Sequence, residues 1–399
     1  MIDAAIIGGG PAGVAAALTL KARGVVRVAI LEREESLGGV PRHCGHSPFG
    51  MHEFDRVLTG PAYARHLAAA AEAAGVEILL QHAVVRLQPG GVLEVATPDG
   101  PRELRARRVL LATGARESPR AARLIGGDRP PGVLNTGALQ EAVYLRHIIP
   151  FRRPVVVGSE LVALSALATC RSHGIKPVAM LESGTRPVAR WPLTLLPFLL
   201  RIPVHFGAEI AEICGAERVE SVLLRDGRRI DCDGVLLTGG FVPEASLAQM
   251  AHLAVDAGSG GPAVDQYGRC SDGAYFAAGN LLRGIETAGW SFREGTAIAD
   301  YIADDLAGGL PSSEDEVAVL CGEGLKYVVP QRLTRVSKLR GVIQLRVAEK
   351  QRGQLVVRAG EAVLYRRHLA GRPERRILID LEHIRLPQGV SQLNVEAVT

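Results

Sequence analysis

No two cysteines in this chain stand at C-x-x-C spacing. Its six cysteines, at 44, 170, 214, 232, 270 and 321, are scattered. Neither an iron–sulfur nor a zinc site can be read from such spacing, and no metal is expected. Scattered thiols fit a reducing, cytoplasmic setting better than a disulfide scaffold. Aromatic residues make up 4% of the chain, too few for base-stacking platforms, and the net charge of +4 is spread along it. That balance is too mild to argue for nucleic acid as a partner. No run of about twenty apolar residues occurs, so no transmembrane segment is expected. Asp3 and the glycines at 8–10 interrupt the first apolar run, so no signal peptide is expected either. The nearest approach to an apolar span is WPLTLLPFLLRIPV at 191–204, broken by prolines and by Arg201. It reads as a packed helix at the surface or in the core.

What is present is enough apolar material for two or three domains. The chain has 399 residues, 47% hydrophobic and 22% charged. Residues 3–34 read strand, glycine turn, helix, strand, with the helix running from Ala12 to a stop at Gly24. A helix over 61–74 opens on Pro61 and ends at Gly75. Hairpin-like strands follow at 76–88 and 92–97, then an apolar strand that runs into ATGARESP by 119. A second strand–turn–helix–strand begins at 153, a repeat of the first at the level of the fold. Residues 274–308 give a strand, a turn and a long helix, and 308–316 is a polar linker. Beyond it, alternating apolar and polar residues at 342–347, 354–367 and 375–382 predict a small antiparallel β-module. The fold class expected is α/β: two Rossmann-like dinucleotide domains and a C-terminal all-β module. The boundaries are 1–120 with 265–310, then 150–250, then 318–399.

Gly8, Gly10 and Gly13 form G-x-G-x-x-G between the first strand and the first helix, with Pro11 and Ala12 opening that helix. The first glycine allows the tight turn, and the second lets the backbone approach a pyrophosphate. The third lets helix and strand pack closely. A diphosphate fits the helix N-terminus, and Glu32, which ends the second strand beside Arg33, is placed to bond ribose hydroxyls.

The motif alone does not separate FAD from NAD, but its company does. Gly38-Gly39 follows Glu32, Ala112-Thr113-Gly114 precedes Pro119, and a late strand ends in Ala277-Ala278-Gly279-Asn280. Over roughly residues 1–310 this set resembles the two-dinucleotide-domain flavoproteins, the glutathione- and thioredoxin-reductase-like superfamily. The resemblance implies FAD, held by Gly8, Gly10, Pro11, Ala12, Gly13, Glu32, Arg33, Gly39, Val84, Thr113, Gly114, Gly279, Asn280 and Thr287. In that family the residue at Asn280 is an aspartate that holds the ribityl chain; Asn keeps the hydrogen bond without the charge. The helix starting near 286–288 would aim its amides at the flavin pyrimidine ring.

The same resemblance places two redox cysteines where this chain has GGVPRHCGHSPFG, residues 38–50. One cysteine, Cys44, lies there between His43 and His46, so the chain is not expected to be a disulfide reductase. It is more similar to flavoprotein subunits of multi-component dehydrogenases. Examples are opine oxidase A, hydrogen cyanide synthase B and the glycerol-3-phosphate dehydrogenase-associated flavoproteins. The last group shares blocks like residues 44–64 and 327–332. Several of these carry a cysteine-rich iron–sulfur module, absent here. The resemblance therefore implies two partners: a second dehydrogenase or flavoprotein subunit, and with it a small iron–sulfur protein. His43, Cys44 and His46 are the catalytic candidates, as proton donors or substrate ligands. The other reading of them is a polar loop that shapes a pocket, and Trp290 is either a cover for the flavin ring or an ordinary core residue.

The second glycine turn is degenerate. It reads Gly158-Ser159-Glu160-Leu161-Val162-Ala163, with a carboxylate where the backbone should approach a diphosphate. Glu182 still stands at the ribose position. The function expected is that of an FAD-dependent dehydrogenase component acting on a small amine, amino acid or hydroxy acid. A stand-alone NAD(P)H-dependent reductase and a non-catalytic FAD-containing scaffold are the alternatives.

Overall fold

The computed structural model of the chain describes residues 1–398. They form two compact units. The first comprises 1–39, 64–115 and the chain from 243 onward; the second comprises 40–63 and 116–242.

In the first unit the parallel strands Glu77–Leu80, Val28–Glu32, Ile2–Ile7 and Gly100–Leu111 lie side by side. Tyr275–Ala277 extends the sheet, also parallel, against the end of Gly100–Leu111. The strands Val28–Glu32 and Ile2–Ile7 are apolar almost throughout because parallel strands are covered on both faces. The front of Gly100–Leu111 pairs antiparallel with Val92–Thr97, which pairs with Ala83–Gln88. The helix Pro11–Ala22 buries a face rich in alanine and packs on the helix Ala288–Leu306. The approach is very close: a Cβ at Gly295 would lie 2.1 Å from the Ala12 carbonyl oxygen.

The C-terminal module belongs to this same unit. Its strands form two sheets around one apolar core that includes Val317, Leu333, Ile343, Leu345, Leu355 and Leu393. The module is not purely antiparallel, as its alternation pattern predicts. Its first strand, Glu316–Cys321, pairs parallel with its last, Gln392–Val398. The chain leaves to build the second sheet before it returns, so the two ends enter the first sheet in the same direction. Gln266 and Thr334 fasten the module with two 2.7 Å hydrogen bonds, each side donating once.

The second unit is built on five parallel strands in the order Val204–Phe206, Ala179–Glu182, Pro154–Val157, Gly234–Leu237, Val133–Asn135. This is the second Rossmann-like sheet that the internal repeat predicts. The apolar stretch at 191–204 departs from expectation. It makes a 3₁₀ turn, Leu193–Leu195, and a four-residue helix, Leu196–Leu199. Trp191 is 79% exposed and Phe198 78%. Pro192 and Pro197 each lack a backbone donor; Pro197 is tolerated in the first turn of the short helix, which therefore cannot be continued back toward Trp191 as one longer helix. No helix among the described residues is long and apolar enough to cross a membrane.

Candidate functional site

In the first unit the strand Ile2–Ile7 ends at Gly8, where φ is +107°. A Cβ there would lie 2.6 Å from the Ala112 carbonyl oxygen, and one at Gly13 would lie 1.9 Å from the Gly8 oxygen. Both positions therefore require glycine. Gly10 differs: a Cβ there would meet nothing nearer than Gly39 Cα at 3.9 Å. Its glycine is not demanded by the fold, so the space beside it is left open at the N-terminus of Pro11–Ala22. That helix has no side-chain cap, so its first amides remain free to bind an anion.

Of the other sequence-predicted residues, Glu32, Gly39 and Gly279 contact this turn or the start of its helix, and the rest are held by their own neighbours. Glu32 Oε2 accepts from Gly9 N at 2.8 Å and Oε1 from Glu34 N at 3.0 Å. Two acceptor positions are used and the rest remain for hydroxyls. Gly38 N donates to Gly9 O at 2.8 Å. Thr113 Oγ1 donates to Glu244 O at 2.8 Å, beside Gly114 at φ +77°. A Cβ at Gly279 would lie 2.9 Å from Ala12 Cβ, so the late turn also packs here. His82 N, two residues before Val84, donates to Glu32 O at 2.9 Å. Arg33 is exposed beside Glu34. Thr287 caps Ala288–Leu306 by accepting from Trp290 N at 3.3 Å. Asn280 is engaged locally: its Oδ1 accepts from Glu286 N at 2.7 Å, and its Nδ2 donates to Glu286 O at 3.2 Å. The turn at Gly8–Gly13, the free amides after Gly10 and the remaining acceptor positions of Glu32 are of the kind an FAD diphosphate and ribose require.

Residues 2–295 match the family described as pyridine nucleotide-disulphide oxidoreductase. The chain belongs to that family. It is an FAD-binding oxidoreductase. Among curated relatives, the chlorobenzene dioxygenase ferredoxin reductase component of Cupriavidus sp. (strain PS12) is 28% identical, covering 73% of this chain and 68% of that one. The A subunit of opine oxidase from Agrobacterium tumefaciens (strain Ach5) is 26% identical, covering 70% of this chain and 61% of the relative. The chain thus spans about two thirds of the relatives' length. Among solved structures, thioredoxin reductase of T. acidophilum superposes with a TM-score of 0.63 at 23% identity, over 76% of this chain and 98% of that one. That likeness shows the fold.

The disulphide in the family's description has no counterpart, since all six cysteines are free. The catalytic candidates lie in the second unit. Cys44 is buried, its Sγ 3.5 Å from Val40 O and 3.6 Å from Gln140 Oε1, either of which can accept its one S–H. Burial, helped by the charge of Glu117, pushes its pKa up to about 12. It is a neutral thiol, and the thiolate is the reactive form. His46 sets Nδ1 3.2 Å from Ser47 O and packs on Phe49, 5.3 Å between ring centroids. Phe49 and Phe54 flank Tyr63, whose hydroxyl donates to Glu53 Oε1 at 3.1 Å. His43 closes the short 3₁₀ turn Val40–His43. Among the described residues no three His, Cys, Asp or Glu side chains are grouped to hold a metal.

The second glycine turn keeps its backbone, with Gly158 at φ +118°, and fills its space. A Cβ at Gly158 would lie 2.7 Å from Glu160 Oε2, and one at Gly239 would lie 2.7 Å from Glu160 Oε1. The Glu160 carboxylate thus sits between two glycines of its own unit. Burial raises its pKa and nearby Glu182 adds to this, against the Thr238 hydrogen bond and Arg123. Glu182 Oε2 accepts from Ser159 Oγ and its Oε1 from Gly184 N at 2.8 Å. Arg123 donates to Thr238 O at 2.9 Å and Gly239 O at 2.6 Å. Buried Glu117 accepts from Gly137 N at 2.8 Å and Gly239 N at 3.2 Å, and burial raises its pKa. Arg123, Glu117 and Gln140 were not among the residues singled out by sequence. Apart from the Arg123 bond to Ser118 O, the partners cited for them lie 20–122 positions away, where no local motif reaches.

Proposed function

We propose that this chain is the flavin subunit of a hetero-oligomeric dehydrogenase. It takes electrons from a small amine, amino acid or hydroxy acid and passes them to an iron–sulfur partner in a cytoplasmic complex. Bound FAD supplies hydride uptake and release of single electrons, so no internal disulfide is needed. The chain's own residues bind and orient it: Gly8 and Gly13 shape the turn, Gly10 leaves room, and Glu32 meets the ribose.

One observation supports this reading: the Glu160 carboxylate is wedged against Gly158 and Gly239, at the turn where a nicotinamide dinucleotide's diphosphate would be expected. Two like charges about 4 Å apart at an effective dielectric near 20 repel by roughly 4 kcal/mol, about a thousandfold in affinity. The relative named as the A subunit of opine oxidase, and the exposed apolar residues Trp191, Phe198 and Leu199 as a contact surface, support a role within a complex. A second reading, a reductase fed by NAD(P)H, is favoured by relatives named ferredoxin reductase components and by the retained Gly158 and Glu182.

Anaerobic mixing with NADH and, separately, NADPH while following flavin bleaching tests the two. Slow, unsaturable bleaching is expected. Fast bleaching that saturates at micromolar nicotinamide would promote the reductase reading. A flavin that no partner or substrate reduces would point to a scaffold.

A further inference from the structure

Polar side chains from distant parts of the first unit meet at the start of the helix Ala288–Leu306. Glu286 directly precedes the cap residue Thr287, and its side chain is 7% exposed. One carboxylate oxygen accepts from Gln344 Nε2 at 2.8 Å and Arg346 Nη2 at 3.1 Å. The other accepts from Arg376 Nη1 at 2.5 Å. Gln344 and Arg346 lie on the module strand Val342–Val347, and Arg376 directly precedes the strand Ile377–Asp380.

The network continues inward. Gln344 Oε1 accepts from Arg283 Nη2 at 2.8 Å. Arg283, fully buried, also donates to the two oxygens of Glu294 at 3.0 and 2.5 Å. Glu294 Oε2 accepts from Gly279 N at 2.7 Å, in the turn that packs on Ala12. The reciprocal hydrogen bonds of Asn280 with the Glu286 backbone close the circuit. Arg376 also lies 3.5 Å from the centroid of the Trp290 ring, and Arg293 lies 5.3 Å from it.

Packing is already supplied without this arrangement: the module has its own apolar core and sets Tyr327 and Val329 into the core of the first unit. The charges do not cancel. Arg283, Arg346 and Arg376 bond Glu286 and Glu294, three positive against two negative, and Arg293 beside Trp290 adds a further positive charge. The surplus sits at the amide end of a helix, which itself carries partial positive charge. Both favour a negative species nearby.

We infer that the C-terminal module is part of the cofactor site: Arg346 and Arg376, anchored on Glu286, are positioning residues that hold the first turn of Ala288–Leu306 and raise the positive potential that stabilises the reduced, anionic flavin. The inference rests on FAD binding in the first unit, and it goes beyond that by giving the module a role in setting the flavin's potential. Trp290 becomes the platform that fixes Arg376 in this reading.

The test uses the full chain with its FAD. Wild type, Arg376→Met and Arg376→Lys are equilibrated with a reference dye, and the reduced-to-oxidised flavin ratio is read at a fixed solution potential. Thermal unfolding is followed alongside. Arg376 is partly exposed, so both variants are expected to fold. Arg376→Met should lower the ratio by about two- to thirtyfold, the range for a charge at a helix end, and Arg376→Lys should recover most of it. Should Arg376→Met lose its flavin, Arg346→Gln, which keeps a donor for Ile285 O, should shift the ratio the same way. An unchanged ratio overturns the proposal. Equal losses in the methionine and lysine variants also overturn it, because they reduce Arg376 to packing. A colourless wild type would overturn the FAD reading itself, and this proposal with it.

Discussion

The chain builds the same strand–turn–helix twice and uses it in two ways. At the first turn Gly10 leaves space beside free helix amides; at the second, Glu160 occupies the corresponding position with a carboxylate wedged between Gly158 and Gly239. The backbones agree, with φ of +107° at Gly8 and +118° at Gly158. A fold motif and a binding site are therefore separable. The glycine that permits the tight turn survives in both copies, while the glycine that admits the ligand survives in one.

The sharpest way to break this comparison is to write the second turn into the first. Gly10→Glu places a carboxylate where the first turn is open. FAD affinity should fall by about a thousandfold, from roughly 4 kcal/mol of repulsion plus the lost space. The purified variant should be colourless while its thermal unfolding, read against wild-type apoprotein, stays cooperative. A yellow Gly10→Glu protein with full FAD content would show that the opening at Gly10 is not where the cofactor enters.

The reverse exchange should have a smaller effect. Glu160→Gly removes bulk and charge, but Arg123, Glu117 and Ser159 already saturate groups around the second turn. Nicotinamide dinucleotide binding, followed by fluorescence titration, should improve by about ten- to a hundredfold, less than the full electrostatic penalty. No improvement would mean that the whole site, and not this one side chain, has been lost.

Much of this contrast was legible in the sequence, and the reason is local. G-x-G-x-x-G against Gly158-Ser159-Glu160 is a difference within three residues, where backbone geometry maps directly onto residue type. The two Rossmann-like sheets were legible for the same reason, since buried parallel strands read as continuous apolar runs. The clamp on Glu286 was not. Arg346 and Arg376 reach it across 60 and 90 residues, and an arginine on a β-strand reads as an ordinary solvated face until its partner is seen. The stretch at 191–204 misled because composition promised a helix and its prolines were weighed as breaks in a membrane span rather than in a helix.

A milder probe uses pH. Burial raises the pKa of Glu160, so the folded state holds that proton more tightly than the unfolded chain does. Its contribution to stability is then best below the ordinary carboxylate pKa and declines as pH rises from there through the raised value. Glu160→Gln removes the titration. The variant should match wild type in acid and exceed it near neutrality by about 2–4 °C in Tm. Equal Tm values at all pH would indicate that Arg123 and Thr238 fully compensate the buried charge.

The smallest effect concerns Cys44, the cysteine that stands where the resemblance places a redox pair. Its thiol is buried, beside Val40 O and Gln140 Oε1, and pushed up to about 12 by burial. A thiol pushed up this far stays protonated near neutrality, and the thiolate alone attacks disulfides or alkylating agents. Cys44→Ala should therefore leave the rate and extent of flavin reduction by dithionite within about twofold of wild type. Iodoacetamide should label Cys44 in the native chain far more slowly than in urea, read by peptide mass. A native Cys44 labelled as fast as in urea, or a Cys44→Ala protein that consumes fewer reducing equivalents per FAD, would show that Cys44 is a reactive thiol and not a buried, protonated one.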